Sequence, residues 1–143
     1  MRRFITFLIT HGIALGLGFG LGIYLLPILT APPSPDAAVR ESMAADAVYT
    51  TEFQEDLPGN DFVHWGRGTV SLTQSQIIHE GELAPGPDYM VYLVPEFVDD
   101  EASFEALKSE SRVLGSVKTF KGFALDMPAD VDLEAYTTVL VWC

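Results

Sequence analysis

From Phe4 to Thr30 the chain carries no formally charged residue. An α-helix needs roughly 20 predominantly apolar residues to cross about 30 Å of hydrocarbon, so this run is long enough to span a bilayer. Arg2 and Arg3 precede it, and acidic residues dominate the chain beyond it. Because basic residues are retained on the cytoplasmic side, the run reads as a single-pass anchor over residues 1–31, its N-terminus cytoplasmic and the rest of the chain outside the cell membrane. A cleaved signal peptide has an apolar region of about 7–15 residues that ends at small residues. Here the run is longer and Ala31 leads into Pro32-Pro33, a poor cleavage site, so the anchor is expected to stay, with membrane contact through residues 4–30.

Within the span, Gly12, Gly16 and Gly20 lie four apart, and Gly18 and Gly22 form a second such pair. Glycines at this spacing share one helix face and let two backbones approach, which offers a surface for anchor self-association. His11 reads as a neutral residue near one interface, Tyr24 as a marker of the other, and Pro27 sits where few helical bonds remain to be broken.

Past the span the charge changes sharply. Of 8 Lys+Arg and 20 Asp+Glu, only Arg2 and Arg3 precede residue 32, so 6 basic against 20 acidic side chains leave a net charge of −14 on the remainder. Such a surface repels nucleic acid and anionic lipid. It would favour cations or a basic partner, although solubility alone accounts for acidity in a small domain.

Residues 32–60 read as a linker. Ala31-Pro32-Pro33-Ser34-Pro35 is expected to be extended, since proline fixes φ and restricts its predecessor. With Asp36 as a candidate N-cap, Val39, Met43 and Ala47 at four-residue steps suggest a short helix up to about Tyr49, before Leu57-Pro58-Gly59-Asn60-Asp61 breaks the chain. From residue 61 strand signals prevail. Thr69–Thr73 alternates and is followed, after Gln74-Ser75, by Gln76–Glu80, the pattern of a hairpin. The continuous apolar run Tyr89–Val94 suits a buried strand. Phe104 and Leu107 among charges favour a short helix within Asp99–Ser111, and further strands are expected at Val113–Val117, Phe120–Leu125 and Thr137–Trp142. The fold class is therefore mostly β: an antiparallel β-sandwich or small barrel over residues 61–143 with one short helix, preceded by the transmembrane helix. Trp65, Tyr89, Tyr92, Phe120, Phe123 and Tyr136 are read as core and strand residues.

Cys143 is the only cysteine. An intramolecular disulfide is impossible, which leaves an intermolecular bridge, a redox-active or metal-binding thiol, or an inert buried side chain. His64, His79, Met90 and Cys143 are the residue types of a blue-copper centre, but those sites usually take Cys, His and Met from one loop following the cysteine. Both histidines are read instead as solvent-facing or locally hydrogen-bonded, and neither a metal nor another cofactor is expected. Glu96, Asp99, Asp100 and Glu101 could hold calcium with backbone oxygens; a solvated charge run is the simpler reading. There is no EF-hand spacing, nucleophile elbow, His-Glu-x-x-His or phosphate loop, hence no conventional enzyme motif.

The segment Gly115-Ser116-Val117-Lys118-Thr119-Phe120-Lys121-Gly122-Phe123-Ala124-Leu125-Asp126-Met127-Pro128, then Val131–Tyr136, then Thr137-Thr138-Val139-Leu140-Val141-Trp142-Cys143 resembles the DM13 domain. Gly68–Leu72 and Gly86-Pro87-Asp88-Tyr89-Met90-Val91-Tyr92-Leu93 extend the likeness over roughly residues 60–143. The resemblance implies an extracytoplasmic module that takes part in electron transfer through its cysteine, here Cys143, with a redox or envelope protein as partner. Members of the family normally continue past this cysteine into another strand, so a truncated chain or an absent final strand is expected. The other reading is a non-enzymatic binding module of the cell envelope in which Cys143 is structural.

Overall fold

The computed structural model describes the whole chain, Met1–Cys143. Helix α1, Arg2–Thr30, is followed by α2, Ala37–Ala44, and then by seven strands interrupted by one further helix. At 1.5 Å per residue, α1 is about 43 Å long, and none of its side chains is buried. It is long and apolar enough to cross a membrane, a property that signal sequences share. The faces at Gly12, Gly16 and Gly20 are open, and the His11 ring turns back onto its own helix, Nδ1 lying 2.9 Å from the Phe7 carbonyl.

Asp36 caps α2 as expected, its carboxylate accepting from the Ala38 amide at 2.9 Å. The helix then stops at Ala44 instead of reaching Tyr49. Tyr49-Thr50-Thr51-Glu52 form strand β1, which pairs antiparallel with Gly66–Leu72, strand β2, in the register Tyr49↔Leu72 to Glu52↔Thr69. Aromatic and β-branched side chains suit a pleated surface, and the free edge of β2 gives their backbone groups partners that a fourth helical turn would have had to supply. The apolar stripe expected on α2 is also displaced. Val39 stays exposed, whereas Arg40 is buried, its guanidinium donating to the Pro35 carbonyl.

The hairpin forms where the alternation places it. Strand β2 pairs with β3, Gln76–Leu83, and the connecting Thr73 hydroxyl accepts from the amides of Ser75 (3.2 Å) and Gln76 (2.9 Å). Strand β6, Phe123–Asp126, adds to the other side of β3. It is shorter than the expected Phe120–Leu125 because Gly122, at φ +82°, bends the chain immediately before it. The second sheet has β4, Tyr89–Val94, at its centre between β5, Arg112–Val117, and β7, Thr138–Trp142.

The two antiparallel sheets, ordered β1-β2-β3-β6 and β5-β4-β7, pack face to face and resolve the architecture as a two-sheet fold instead of a closed barrel. Val70, Leu72, Ile77, Leu83 and Phe123 from one sheet meet Tyr89, Val91, Leu93 and Val117 from the other. Strand β4 is apolar throughout because both its faces are covered: Tyr92 and Val94 point away from that core into a second cluster with Val98 and Phe104. Helix α3, Glu101–Leu107, supplies this outer cover and lies within Asp99–Ser111, where a short helix is expected. Asp100 and Ser103 form a reciprocal capping box. Seven residues are too few for a stable isolated helix, so α3 depends on inserting Phe104, which is fully buried and whose burial contributes roughly 1.5–3 kcal/mol.

Candidate functional site

Register determines where Cys143 lies. In the β4–β7 pairing Met90 faces Trp142, Val91 faces Val141 and Leu93 faces Val139; one further step sets Cys143 beside Tyr89. Side chains alternate along a strand. Val139 and Val141 pack on the inter-sheet core, while Leu140 and Trp142 pack on the outer cluster under α3. Cys143 therefore follows the inward row, at its open margin, and is exposed. The structure therefore departs from the reading of Cys143 as an inert buried side chain.

Tyr89 is the buried neighbour. Its hydroxyl donates to the Ala84 carbonyl at 2.9 Å, and burial first, then proximity to Cys143, pushes its pKa up to about 12. The phenol thus stays neutral at physiological pH with its proton committed to the backbone. It shapes the wall beside the thiol without supplying a charge. Behind β7, the Trp142 ring meets Phe104 at 4.9 Å between centroids, and the Lys108 ammonium lies 5.6 Å from both ring centres. The strand that carries Cys143 is held from both sides although it lies at a sheet edge.

Cys143 opens into a groove of about 940 Å³ between the edges of β1 and β7, lined in part by Phe53, Trp65, Leu83, Tyr89 and Phe97. Glu52, Asp61, Asp99, Asp100 and Glu101 are among its lining residues, and the Arg67 guanidinium stands 5.2 Å from the centre of the Trp65 ring. Asp61 is held below the usual carboxylate range, chiefly by the bond from His64 Nδ1 (2.9 Å) and then by the Val63 amide. Asp100 is lowered by the backbone amide of Ser103, which it caps. At one end the Tyr49 hydroxyl of β1 donates to Glu134, in the turn Leu133–Ala135 before β7, and so bridges the two edges.

The four residues of the copper reading are not assembled. His64 and Cys143 both line the groove, but Met90 belongs to the outer cluster beneath α3. His79, read as solvent-facing or locally hydrogen-bonded, is not solvent-facing: it is fully buried and hydrogen-bonded to backbone, with its ring 5.1 Å from those of Phe53 and Phe123. Its Nε2 lies 3.0 Å from the Arg67 carbonyl and must carry the proton, which leaves Nδ1 a bare acceptor with no protein donor. Burial drives the imidazole pKa below its ordinary value; the Arg67 carbonyl opposes this and the Arg40 charge adds to it. The signal missed in the sequence is a glycine pair. Gly68 (φ +108°) and Gly81 are directly opposed in the β2–β3 register, and a Cβ on Gly81 would fall 2.7 Å from His79 Nε2.

No three His, Cys, Asp or Glu side chains gather at metal-binding spacing. Of the acidic run, Asp100 is taken up by helix capping and the Asp99 carbonyl by the Gly59 amide at 2.8 Å; Glu96 and Glu101 are exposed. Of the aromatic set, Tyr89, Tyr92 and Phe123 are buried, and Trp65, Phe120 and Tyr136 are half-buried.

No curated protein and no solved structure matches the chain significantly. Residues 57–143, however, match the family described as electron transfer DM13, beginning three residues before the span the resemblance outlined. That segment contains six of the seven strands, helix α3, most of the groove lining and the terminal cysteine. On a match covering more than half its length, the chain belongs to the electron transfer DM13 family.

Proposed function

We propose that the chain is a single-pass membrane protein whose β domain lies outside the cytoplasmic membrane, and that Cys143 exchanges electrons there with a protein partner. The observation that carries this reading is the exposed thiol at the end of a strand packed on both faces and opening into a groove. Family membership supports the redox class. The long apolar helix and its Arg2-Arg3 flank support the anchor and its direction.

The chemistry is thiol–disulfide exchange. The Cys143 thiolate attacks one sulfur of a partner disulfide, forms a mixed disulfide and expels the other partner sulfur as a thiolate. The partner's disulfide is the oxidant, so the step balances without a further co-reactant. The exposure of Cys143 supports this reading over a merely structural cysteine.

Cys143→Ser tests the reading in the full chain. Thermal stability should stay within about 0.5 kcal/mol of the parent, as for exposed substitutions away from special features, while mixed-disulfide capture of envelope proteins is abolished. Unaltered capture by the folded variant would end the redox proposal. Protease added to right-side-out vesicles should digest residues beyond Ala31 and spare a tag placed before Met1; a protected domain would reverse the topology.

A further inference from the structure

Basic side chains are few beyond the span, and all but two are taken up. Arg67 pairs with Glu82, Lys108 with Glu105 and Arg112 with Asp130, while Arg40 is buried and donates to the Pro35 carbonyl. Lys118 and Lys121 are exposed and have no hydrogen-bond or ion-pair partner. Both stand in the turn between β5 and β6. The Thr119 hydroxyl closes that turn by donating to the Gly122 carbonyl at 2.9 Å, and the Phe120 carbonyl accepts from the Leu83 amide at 3.0 Å. The turn is thus fixed to the end of β3, and its two lysine side chains are left free.

Its place relative to the span follows from the end of α1. Pro27, Thr30 and Ala31 line one small cavity with Pro87, Lys118 and Phe120, and Pro27 and Ala31 are half-buried. Helix α1 has 29 residues, more than the roughly 20 that cross the hydrocarbon. Its last turn therefore stands among the lipid headgroups, past the interface that Tyr24 marks, and the β5–β6 turn lies at the same level.

Neighbouring carboxylates do not cancel this charge. Asp36 caps α2, Glu82 is paired with Arg67 although Lys121 approaches it, and the exposed Asp88 can offset only one of the two lysines. The chain beyond the helix carries a net charge of −14, so most of its surface is repelled by anionic lipid. An anionic bilayer thus draws the β5–β6 turn toward itself and turns the rest of the domain away.

We infer that the β5–β6 turn is a membrane-contact site, at which Lys118 and Lys121 bind the phosphates of lipid headgroups and seat the domain on its own bilayer. This goes beyond the electron-transfer reading and rests only on the anchor proposed with it.

The test uses the full chain in nanodiscs of zwitterionic phospholipid mixed with phosphatidylglycerol, with a trace of lipid bearing a gadolinium chelate on its headgroup. Amide signals of residues 118–122 should broaden severalfold more than those of Gln74 and Ser75. These two lie beyond the far end of β3, about 25 Å away at some 3.3 Å per residue. Lys118→Gln with Lys121→Gln should lower the ratio of seated to unseated domain about thirtyfold, the strength of two basic side chains beside an anionic surface, and so erase the excess broadening. Lys108→Gln with Arg112→Gln makes the same charge change away from the turn and should leave the excess in place. In a chain held in the discs, absence of any excess at the turn overturns the inference and leaves the anchor standing. An excess that survives loss of both turn lysines, or equal losses in the two double variants, overturns it as well. Failure of the chain to enter the discs would end the anchor reading, and this inference with it.

Discussion

Phe104→Ala should be the most damaging single truncation on the outer face of the second sheet. The ring is fully buried, stands 5.0 Å from Tyr92 and 4.9 Å from Trp142 between centroids, and is the one buried residue of α3. Truncating a buried phenylalanine costs about 3–5 kcal/mol, the transfer loss plus the cavity left behind. The upper half of that range is expected here, because a seven-residue helix that loses its only buried anchor has little else to hold it. Against a typical domain stability of about 5–15 kcal/mol, this removes a large share. At about 4–8 °C per kcal/mol for a domain of this size, the thermal midpoint should fall by about 16–40 °C. Urea unfolding followed by tryptophan fluorescence gives the free energy, with Phe104→Leu as a control expected to lose less than half as much. Amide exchange should accelerate in β7 before it does in β2 and β3, since β7 lies against the lost ring and the hairpin does not. A loss below about 1 kcal/mol, the centre of the range for point substitutions in general, would refute the claim that Phe104 fastens α3 and the outer face of β7.

Two further perturbations test the buried histidine. Because His79 is held neutral in the native state below its ordinary pKa of 6.5, its stabilising contribution is complete above about pH 6.5 and declines as pH falls toward the lower native value, where the unfolded chain binds a proton and the folded one does not. The urea midpoint should fall between pH 7.5 and 5 more steeply for the parent than for His79→Leu, and parallel curves would show that the ring titrates alike in both states. Gly81→Ala should destabilise by about 2 kcal/mol or more, well above the small cost of an unstrained glycine replacement, since the new Cβ would fall 2.8 Å from the Gly68 Cα as well as against His79. A stability loss under about 0.5 kcal/mol, the ordinary surface range, would mean that the cradle is not closely packed.

Elements governed by local chemistry were legible in the residues alone. The charge-free Phe4–Thr30 run, the Asp36 cap, the alternating hairpin around Gln74-Ser75, and the apolar strand Tyr89–Val94 each depend on composition or period, and each lies where that local signal puts it. Pairing and burial were not legible, because they depend on partners distant in sequence. Tyr49–Glu52 became a strand only because β2 offers an edge seventeen or more residues away. Arg40 replaced Val39 as the buried residue of α2 through a tertiary contact, and His79 was drawn inside by two glycines whose effect appears only when Gly68 and Gly81 face each other. The same division holds for the site. The sequence presented Cys143 as a lone thiol with three open fates, and the register beside Tyr89 and the alternation of β7 placed it, exposed, in a groove lined in part by acidic residues. Periodicity specifies which face a residue takes, but only the packing of the sheets decides what that face meets.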